Sequence, residues 1–146
     1  MKVGIALHQN FMQAFDKLKF INRSVVKMIE WKRCKLSLFE EIKMCQEVKE
    51  ELIKEYSEKD EKGEMIFVSG NAQQGGQPCF VKSLIPEFEQ KMNDLFSQDL
   101  KTILVTIPIS KIPDTLELSE LEFELLEAFI DLEEVKTVIP EVLPAV

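Results

Sequence analysis

The segment from Ser24 to Glu58 contains neither proline nor glycine, and this constrains the fold more than any other feature of the chain. One set of its side chains recurs at alternating spacings of three and four, the heptad rhythm of a helix packed against another helix. These positions are Met28, Trp31, Lys35, Leu38, Ile42, Cys45, Lys49, Leu52 and Tyr56. At about 1.5 Å per residue, such a helix is roughly 50 Å long. We therefore predict one long helix that needs a packing partner along most of its length.

Short polar segments bound this helix. Ser24 is a suitable N-cap residue, and it follows an earlier amphipathic helix that begins at Phe11. Charged and turn-forming residues follow Ser57, where the apolar rhythm stops. We expect Gly63 to close the long helix, because glycine adopts the left-handed conformation that ends many helices.

Strand-like segments occur on both sides of a loop rich in glycine and glutamine at residues 69–78. Met65–Val68 and Cys79–Val81 are short and apolar, and we expect them to pair. A third candidate, Thr102–Ile107, is uncharged, rich in β-branched residues and followed by Pro108. These segments predict a small antiparallel sheet.

Two shorter helices are predicted in the second half of the chain. Pro86 favours the start of one of them, which we expect to run to Gln98. Ser119 and Glu122 have the spacing of a capping box, in which each side chain accepts a hydrogen bond from the backbone of the other residue. We therefore expect the last helix to begin there. Its apolar face comprises Leu121, Leu125, Ala128, Phe129 and Leu132.

These segments together predict an α+β fold that is predominantly helical. We expect a long antiparallel helical hairpin packed with a small antiparallel β-sheet and a C-terminal helix. The length of 146 residues suits one hydrophobic core. We assign residues 1–134 to a single helical α+β domain and residues 135–146 to an apolar, proline-containing tail.

Charge is distributed unevenly along the chain. Residues 1–35 carry eight Lys or Arg and two acidic residues, a net of +6, although the whole chain has a formal net charge of −8. Between Glu117 and Glu134 there are eight acidic residues and no basic residue. Such segregated charge either lies on solvated helix faces or complements a partner of opposite sign. The candidate partner-binding residues are Lys27, Trp31, Lys32, Arg33, Glu120, Glu124 and Glu127.

Residues for the familiar enzyme and metal sites are scarce. His8 is the only histidine, and the three cysteines form no Cys-x-x-Cys pair. The glycine-rich loop lacks the Gly-Lys-Ser or Gly-Lys-Thr step of a P-loop. A calcium loop centred on Gly63 would place Lys62 where an oxygen ligand is needed. We therefore predict no enzymatic activity, no catalytic residues, no metal and no cofactor.

The composition also bears on location and on partner class. No apolar run approaches the roughly 18 residues that a membrane span needs. The odd number of cysteines fits a reducing compartment. The acidic net charge disfavours non-specific binding to duplex nucleic acid, although a local basic patch can still contact phosphates. We therefore expect a cytoplasmic protein without membrane contact, for which nucleic acid is the less favoured partner.

Several short motifs occur in a recognisable order. Phe-x-x-Ala-Phe-x-x-Leu begins at Phe11, and Lys-x-x-Leu-Ile-x-x-Tyr ends the long helix at Tyr56. Lys59-Asp-Glu-Lys-Gly63, Ile107-Pro-Ile-Ser110 and an acidic, leucine-rich helix follow. Over residues 11–131 this arrangement resembles a family of small uncharacterised proteins of tailed bacteriophages and prophages. The resemblance implies a phage context, in the host cytoplasm or in a virion, and it implies no particular chemistry.

Three functions from different classes are compatible with these features. The favoured expectation is a non-enzymatic protein–protein interaction protein or virion-associated structural protein of a phage, which acts through long helical faces and self-associates or binds another protein. The first alternative is a small acidic inhibitor that binds a host protein. The second alternative is a nucleic-acid-associated protein that uses the basic N-terminal section.

Overall fold

Helices dominate the part of the chain that the computed structural model describes, which covers residues 1–21, 23–68 and 76–132. The helices are α1 (Val3–Ala6), α2 (Phe11–Lys17), α3 (Val25–Tyr56), α4 (Ile85–Ser97) and α5 (Glu120–Leu125). The strands are β1 (Ile107–Pro108) and β2 (Ile130–Asp131). Single 3-10 turns occur at Leu18–Phe20, Lys82–Leu84, Ile109–Lys111 and Glu127–Phe129. The predicted helical character and the long helix are confirmed.

Helix α3 begins and packs largely as its sequence predicts. The Ser24 hydroxyl accepts a hydrogen bond from the Lys27 backbone N–H at 3.3 Å, which confirms the N-cap. Its buried residues are Trp31, Cys34, Leu38, Ile42, Cys45 and Tyr56. The predicted seam fails at Met28, which is 47% exposed, and it omits the buried Cys34. Two overlapping stripes are compatible with helical periodicity, and packing selects the stripe through Cys34.

Gly63 does not close α3, contrary to the prediction. The helix ends at Tyr56, because Ser57 has extended backbone angles and its hydroxyl donates back to the carbonyl of Ile53. Gly63 instead has a φ of 79° in a separate turn. The Asp60 carboxylate organises this turn by accepting hydrogen bonds from the backbone N–H groups of Lys62 at 2.9 Å and Glu64 at 3.0 Å.

An aromatic cluster joins α2, α3 and the C-terminal segment. Phe15 stacks on Trp31 with 4.8 Å between ring centroids, and Phe129 meets Phe15 edge-on at 5.3 Å. Phe11 and Phe39 lie 5.8 Å and 6.0 Å from Phe15. Phe11, Phe15 and Phe129 are each at most 1% exposed. This cluster forms the centre of the core and holds the N-terminal half of α3.

Helix α4 covers the far part of α3. Phe88 lies 5.7 Å from Tyr56 and stacks on Phe80 at 4.6 Å. Helix α1 packs on α4 so closely that a Cβ atom on Gly4 would lie 3.1 Å from the Cβ of Phe96. The predicted long helical hairpin is not confirmed, because α4 spans 13 residues against 32 in α3. Several short segments, rather than one long helix, cover α3.

The two-stranded sheet is parallel, so the predicted antiparallel sheet is not confirmed. Ile107 of β1 pairs with Ile130 of β2, and a parallel arrangement is accessible because α5 provides the crossover between them. Most of the predicted strand Thr102–Ile107 is irregular, and Ile103 is 88% exposed. Antiparallel pairing within the described ranges is limited to isolated bridges: Lys2 with Asp99, Ser57 with Phe80, Lys59 with Met65, and Phe67 with Pro78.

The capping box at the start of α5 is confirmed. The Ser119 hydroxyl and the Glu122 carboxylate accept reciprocal hydrogen bonds, each at 3.1 Å. The helix is shorter than the predicted apolar face, because the chain turns after Leu125 and enters β2. Residues 69–75 of the predicted loop and the tail at residues 135–146 lie outside the described residues. In the described ranges, no helix combines the length and the apolar character needed to cross a bilayer.

Leu38 and Leu36 provide a matched pair for testing the packing of α3. Leu38 is fully buried, whereas Leu36 is 66% exposed. We expect Leu38→Ala to lower the free energy of unfolding by about 2–5 kcal/mol, because it leaves a cavity in the core. Leu36→Ala should change it by less than about 0.5 kcal/mol. Urea denaturation at low protein concentration measures both values, and equal losses would contradict this assignment of the buried face.

Candidate partner-binding surfaces

The structure separates the predicted partner-binding residues into different environments. Lys32 and Arg33 are exposed on α3. Trp31 is only 6% exposed and belongs to the core, so it is not available on the outer surface of the helix. Lys27 is exposed, and its Nζ lies 3.1 Å from the carboxylate of Glu30. The predicted acidic residues Glu120, Glu124 and Glu127 are all exposed, on α5 and the turn that follows it.

The solvent side of the first half of α3 carries large apolar side chains. Val25, Val26, Ile29 and Leu36 are 71%, 65%, 47% and 66% exposed. Positions 25, 29 and 36 are four and seven residues apart, so they share one side of the helix. Lys32 follows Val25 by seven residues and Arg33 follows Val26 by seven, so the cations lie among the apolar side chains. We call Val25, Val26, Ile29, Lys32, Arg33 and Leu36 the basic apolar face.

A second surface has the opposite charge. Glu120 and Glu124 are four residues apart on α5 and lie on the same side, with Glu127 just beyond the helix. Leu121 is 42% exposed and Phe123 is 38% exposed, so this surface also carries apolar side chains. We call Glu120, Leu121, Phe123, Glu124 and Glu127 the acidic face.

Glu122 differs from its acidic neighbours because an ion pair within the chain engages it. The Lys17 ammonium lies 2.8 Å from the Glu122 carboxylate and also donates to the carbonyl of Glu117 at 3.0 Å. The hydrogen bond from Lys17 is the main cause that lowers the pKa of Glu122, with a smaller contribution from the Ser119 backbone. This ion pair ties α2 to α5. The acidic face therefore presents the carboxylates on either side of Glu122, while Glu122 itself stabilises the fold through its ion pair with Lys17.

Two cavities lie between α3 and the segment that leads into β1. The larger, of about 1140 Å³, is lined by α3 residues between Lys27 and Val48, by residues 98, 99 and 101–106, and by Val3 and Leu95. The smaller, of about 610 Å³, lies at the start of α3 and is bordered by residues 105–108. Lys27, Val105 and Thr106 contribute to both, so the cavities are adjacent.

Glu41 fastens the irregular segment at residues 101–102 to α3. Its carboxylate accepts hydrogen bonds from the backbone N–H of Lys101 at 2.9 Å and from both the backbone N–H and the hydroxyl of Thr102. Burial on its own would raise the pKa of Glu41, but the hydrogen bonds from Thr102 and Lys101 outweigh it and lower the pKa. Ser37 adds a hydroxyl contact to Thr102 at 3.1 Å. These contacts position one wall of the larger cavity.

The buried thiol of Cys45 is poorly suited to nucleophilic chemistry. Burial raises the pKa of Cys45, and the negative charge of Glu41 raises it further. The protonated thiol is the less reactive form. Within the described ranges, no group of three or more His, Cys, Asp and Glu side chains is arranged to hold a metal ion.

The sequence analysis did not identify the apolar residues of the basic apolar face or the role of Glu41. The spacing of Val25, Ile29 and Leu36 was a usable signal, because it forms a second apolar stripe on a helix whose first stripe is already buried. The partners of Glu41 lie some 60 residues away, and two of the three are backbone N–H groups. No side-chain pattern indicates such partners.

Comparisons of this chain with known protein families, with curated proteins and with solved structures find no match.

Glu41 is expected to stabilise the fold in a pH-dependent way. Glu41→Gln should lower the free energy of unfolding by about 1–2 kcal/mol near neutral pH, because the charged acceptor is lost. Because folding lowers the pKa of Glu41, its contribution is present above the unfolded pKa of about 4.3 and is lost as the pH falls through the folded value. The difference between the wild type and the variant should therefore shrink below about pH 4.

The exposed neighbour Glu40 supplies the control for this measurement. Glu40→Gln removes the same charge one residue away and should change the free energy of unfolding by less than about 0.5 kcal/mol. Urea denaturation at several pH values gives all the required quantities. A Glu41→Gln effect that persists unchanged at low pH would contradict the role assigned to the carboxylate.

Proposed function

We propose that this chain is a non-enzymatic protein–protein interaction protein, in which the basic apolar face of one copy binds the acidic face of another. The observation that carries the proposal is the basic apolar face itself. Val25, Val26 and Leu36 are each at least 65% exposed on one half of α3, with Lys32 and Arg33 among them. Large apolar side chains grouped among polar residues on a surface are typical of a binding site.

The energetics favour a partner that supplies opposite charge as well as apolar contact. Fully burying a Val, Leu or Ile side chain contributes about 1.5–3 kcal/mol of free energy. Burying the area that the four apolar residues still expose would therefore contribute about 4–7 kcal/mol to binding. Association costs an estimated 4–15 kcal/mol in lost freedom of motion. Apolar burial alone therefore does not ensure a stable complex. Ion pairs that form on contact, and steering by long-range attraction, supply the additional selectivity.

The acidic face meets both requirements. It presents three exposed carboxylates, of which Glu124 is central, together with the partly exposed apolar side chains of Leu121 and Phe123. Because the two faces lie on different elements of the same chain, each contact between copies joins unlike surfaces. Such heterologous contacts produce rings when the rotation closes and open chains when it does not. An assembling phage protein, as the sequence resemblance suggests, is compatible with either product.

The acidic face also supports the principal alternative, a small inhibitor that binds a basic surface of a host protein. In that role the basic apolar face would be dispensable. The two functions therefore differ in whether Lys32 and Arg33 are needed for binding.

Charge-swapped variants test self-association directly. Lys32→Glu/Arg33→Glu turns the basic apolar face acidic, so both faces are then acidic. Glu124→Lys/Glu127→Lys turns the acidic face basic without altering the first turn of α5, so both faces are then basic. We expect sedimentation velocity to show concentration-dependent association of the wild type that weakens as salt screens the charges. Each variant alone should remain monomeric, because like charges repel. An equimolar mixture of the two variants should associate again, because unlike faces then meet.

A matched control uses exposed lysines in the turn after α3. Lys59→Glu/Lys62→Glu changes the net charge by the same amount as Lys32→Glu/Arg33→Glu but leaves both faces intact, so its association should resemble that of the wild type. Circular dichroism verifies that each variant is folded. A monomeric wild type at about 0.1 mM, well above the Kd of a micromolar contact, would refute self-association. So would a mixture of the swapped variants that stays monomeric.

A further inference from the structure

We propose that the smaller cavity, of about 610 Å³, binds a small organic molecule that carries a phosphate group. The volume lies within the range of about 300–1,000 Å³ typical of small-molecule sites. The cavity is open to solvent near the start of α3 and is separate from the basic apolar face on the outer side of that helix. This inference therefore stands independently of the self-association proposed above.

The charge of the lining is the first argument. Arg23, Lys27 and Lys111 all border the cavity, and no Asp or Glu does so among the described residues that line it. The chain as a whole has a formal net charge of −8, so a cavity with three cations and no carboxylate is a local inversion of sign. A phosphate monoester carries a charge of about −1.5 to −2 near pH 7, which matches several cations better than a single carboxylate does.

Arg23 is held in place for such a ligand. Its guanidinium donates to the carbonyl of Leu18 and lies 4.6 Å from the centroid of the Trp31 ring. Phe15 stacks on Trp31 as well, so the indole is fixed between the aromatic core and the guanidinium. Burial lowers the pKa of Arg23, but an arginine stays protonated at neutral pH. In the described ranges no carboxylate lies within ion-pair distance of Arg23, so an anionic ligand would compensate its partly desolvated charge.

Neutral donors and the direction of α3 add to this attraction. Ser24 and Thr106 bring hydroxyl groups to the cavity lining. Ser24 is also the N-cap of α3, so the cavity lies at the positive end of the dipole of a 32-residue helix. Two cations retain freedom to adjust, because Lys27 and Lys111 are both exposed and the ion pair of Lys27 is with the partly exposed Glu30.

The apolar part of the lining indicates an organic molecule rather than a bare anion. Ile21, Trp31 and Pro108 border the cavity beside the cations. Trp31 is 6% exposed, so the indole forms part of the core on one side and of the cavity wall on the other. A carbon skeleton bound against this wall would remove apolar surface from water, whereas inorganic phosphate has no apolar part and would leave that surface hydrated.

The single tryptophan makes the proposal testable on the full chain. Trp31 contributes the only indole signal in a ¹H–¹⁵N correlation spectrum, and it borders the cavity. We expect phenyl phosphate to shift this signal saturably, and inorganic phosphate to bind more weakly. Phenol, which lacks the charge, should bind at least about tenfold more weakly, equivalent to about 1.4 kcal/mol. Equal responses to phenyl phosphate and phenol would overturn the proposal.

Charge-reversal variants locate the site. Lys111→Glu alters an exposed residue of the cavity and should weaken phenyl phosphate binding by roughly tenfold or more. Lys43→Glu makes the same charge change away from the cavity and should alter the affinity by less than about twofold. Equal losses in both variants would show that only the overall charge matters, which overturns a specific site. Tighter binding of a short single-stranded oligonucleotide, with the same dependence on Lys111, would replace the proposal with a nucleic-acid surface.

Discussion

The stacking of Trp31 on Phe15 is the contact on which the rest of the structure depends. It joins the N-terminal half of α3 to α2, and Phe129 closes the same cluster from the C-terminal segment at 6.2 Å from Trp31. Aromatic pairs contribute large buried areas and about 0.5–1.5 kcal/mol beyond the effect of that area. Three distant parts of the chain thus meet at one point. A long helix that is too exposed alone obtains a partner there.

This one-sided attachment explains the two surfaces of α3. The side of α3 that carries Trp31 and Leu38 is buried in the core, and the opposite side is exposed to solvent. Apolar residues on that opposite side have no role in the core, so they are available for a partner. The flank between the two sides is occupied by an irregular segment that Glu41 holds through backbone hydrogen bonds. The cavities are the spaces that this segment leaves against the helix.

Features set by neighbouring residues were predictable, whereas features set by distant residues were not. The N-cap at Ser24 and the capping box at Ser119 depend on contacts within one helical turn, and both predictions were confirmed. The strand predicted at Thr102–Ile107 had suitable residues but no adjacent strand to pair with, except at Ile107. Gly63 was wrongly assigned as the helix end because Ser57 leaves the helix earlier, through its bond to Ile53.

The sequence by itself determined the long helix, its N-cap at Ser24, the capping box at Ser119 and the segregation of charge, because each follows from local spacing and residue chemistry. Only the tertiary structure decided that the buried stripe of α3 includes Cys34 and leaves Met28 exposed, and that Arg23 and Lys111 border one cavity. Those outcomes depend on which segments meet across the fold. Alternative buried faces of a helix and alternative strand pairings differ little in free energy when only neighbouring residues are considered. The packing of the whole chain therefore selects among them.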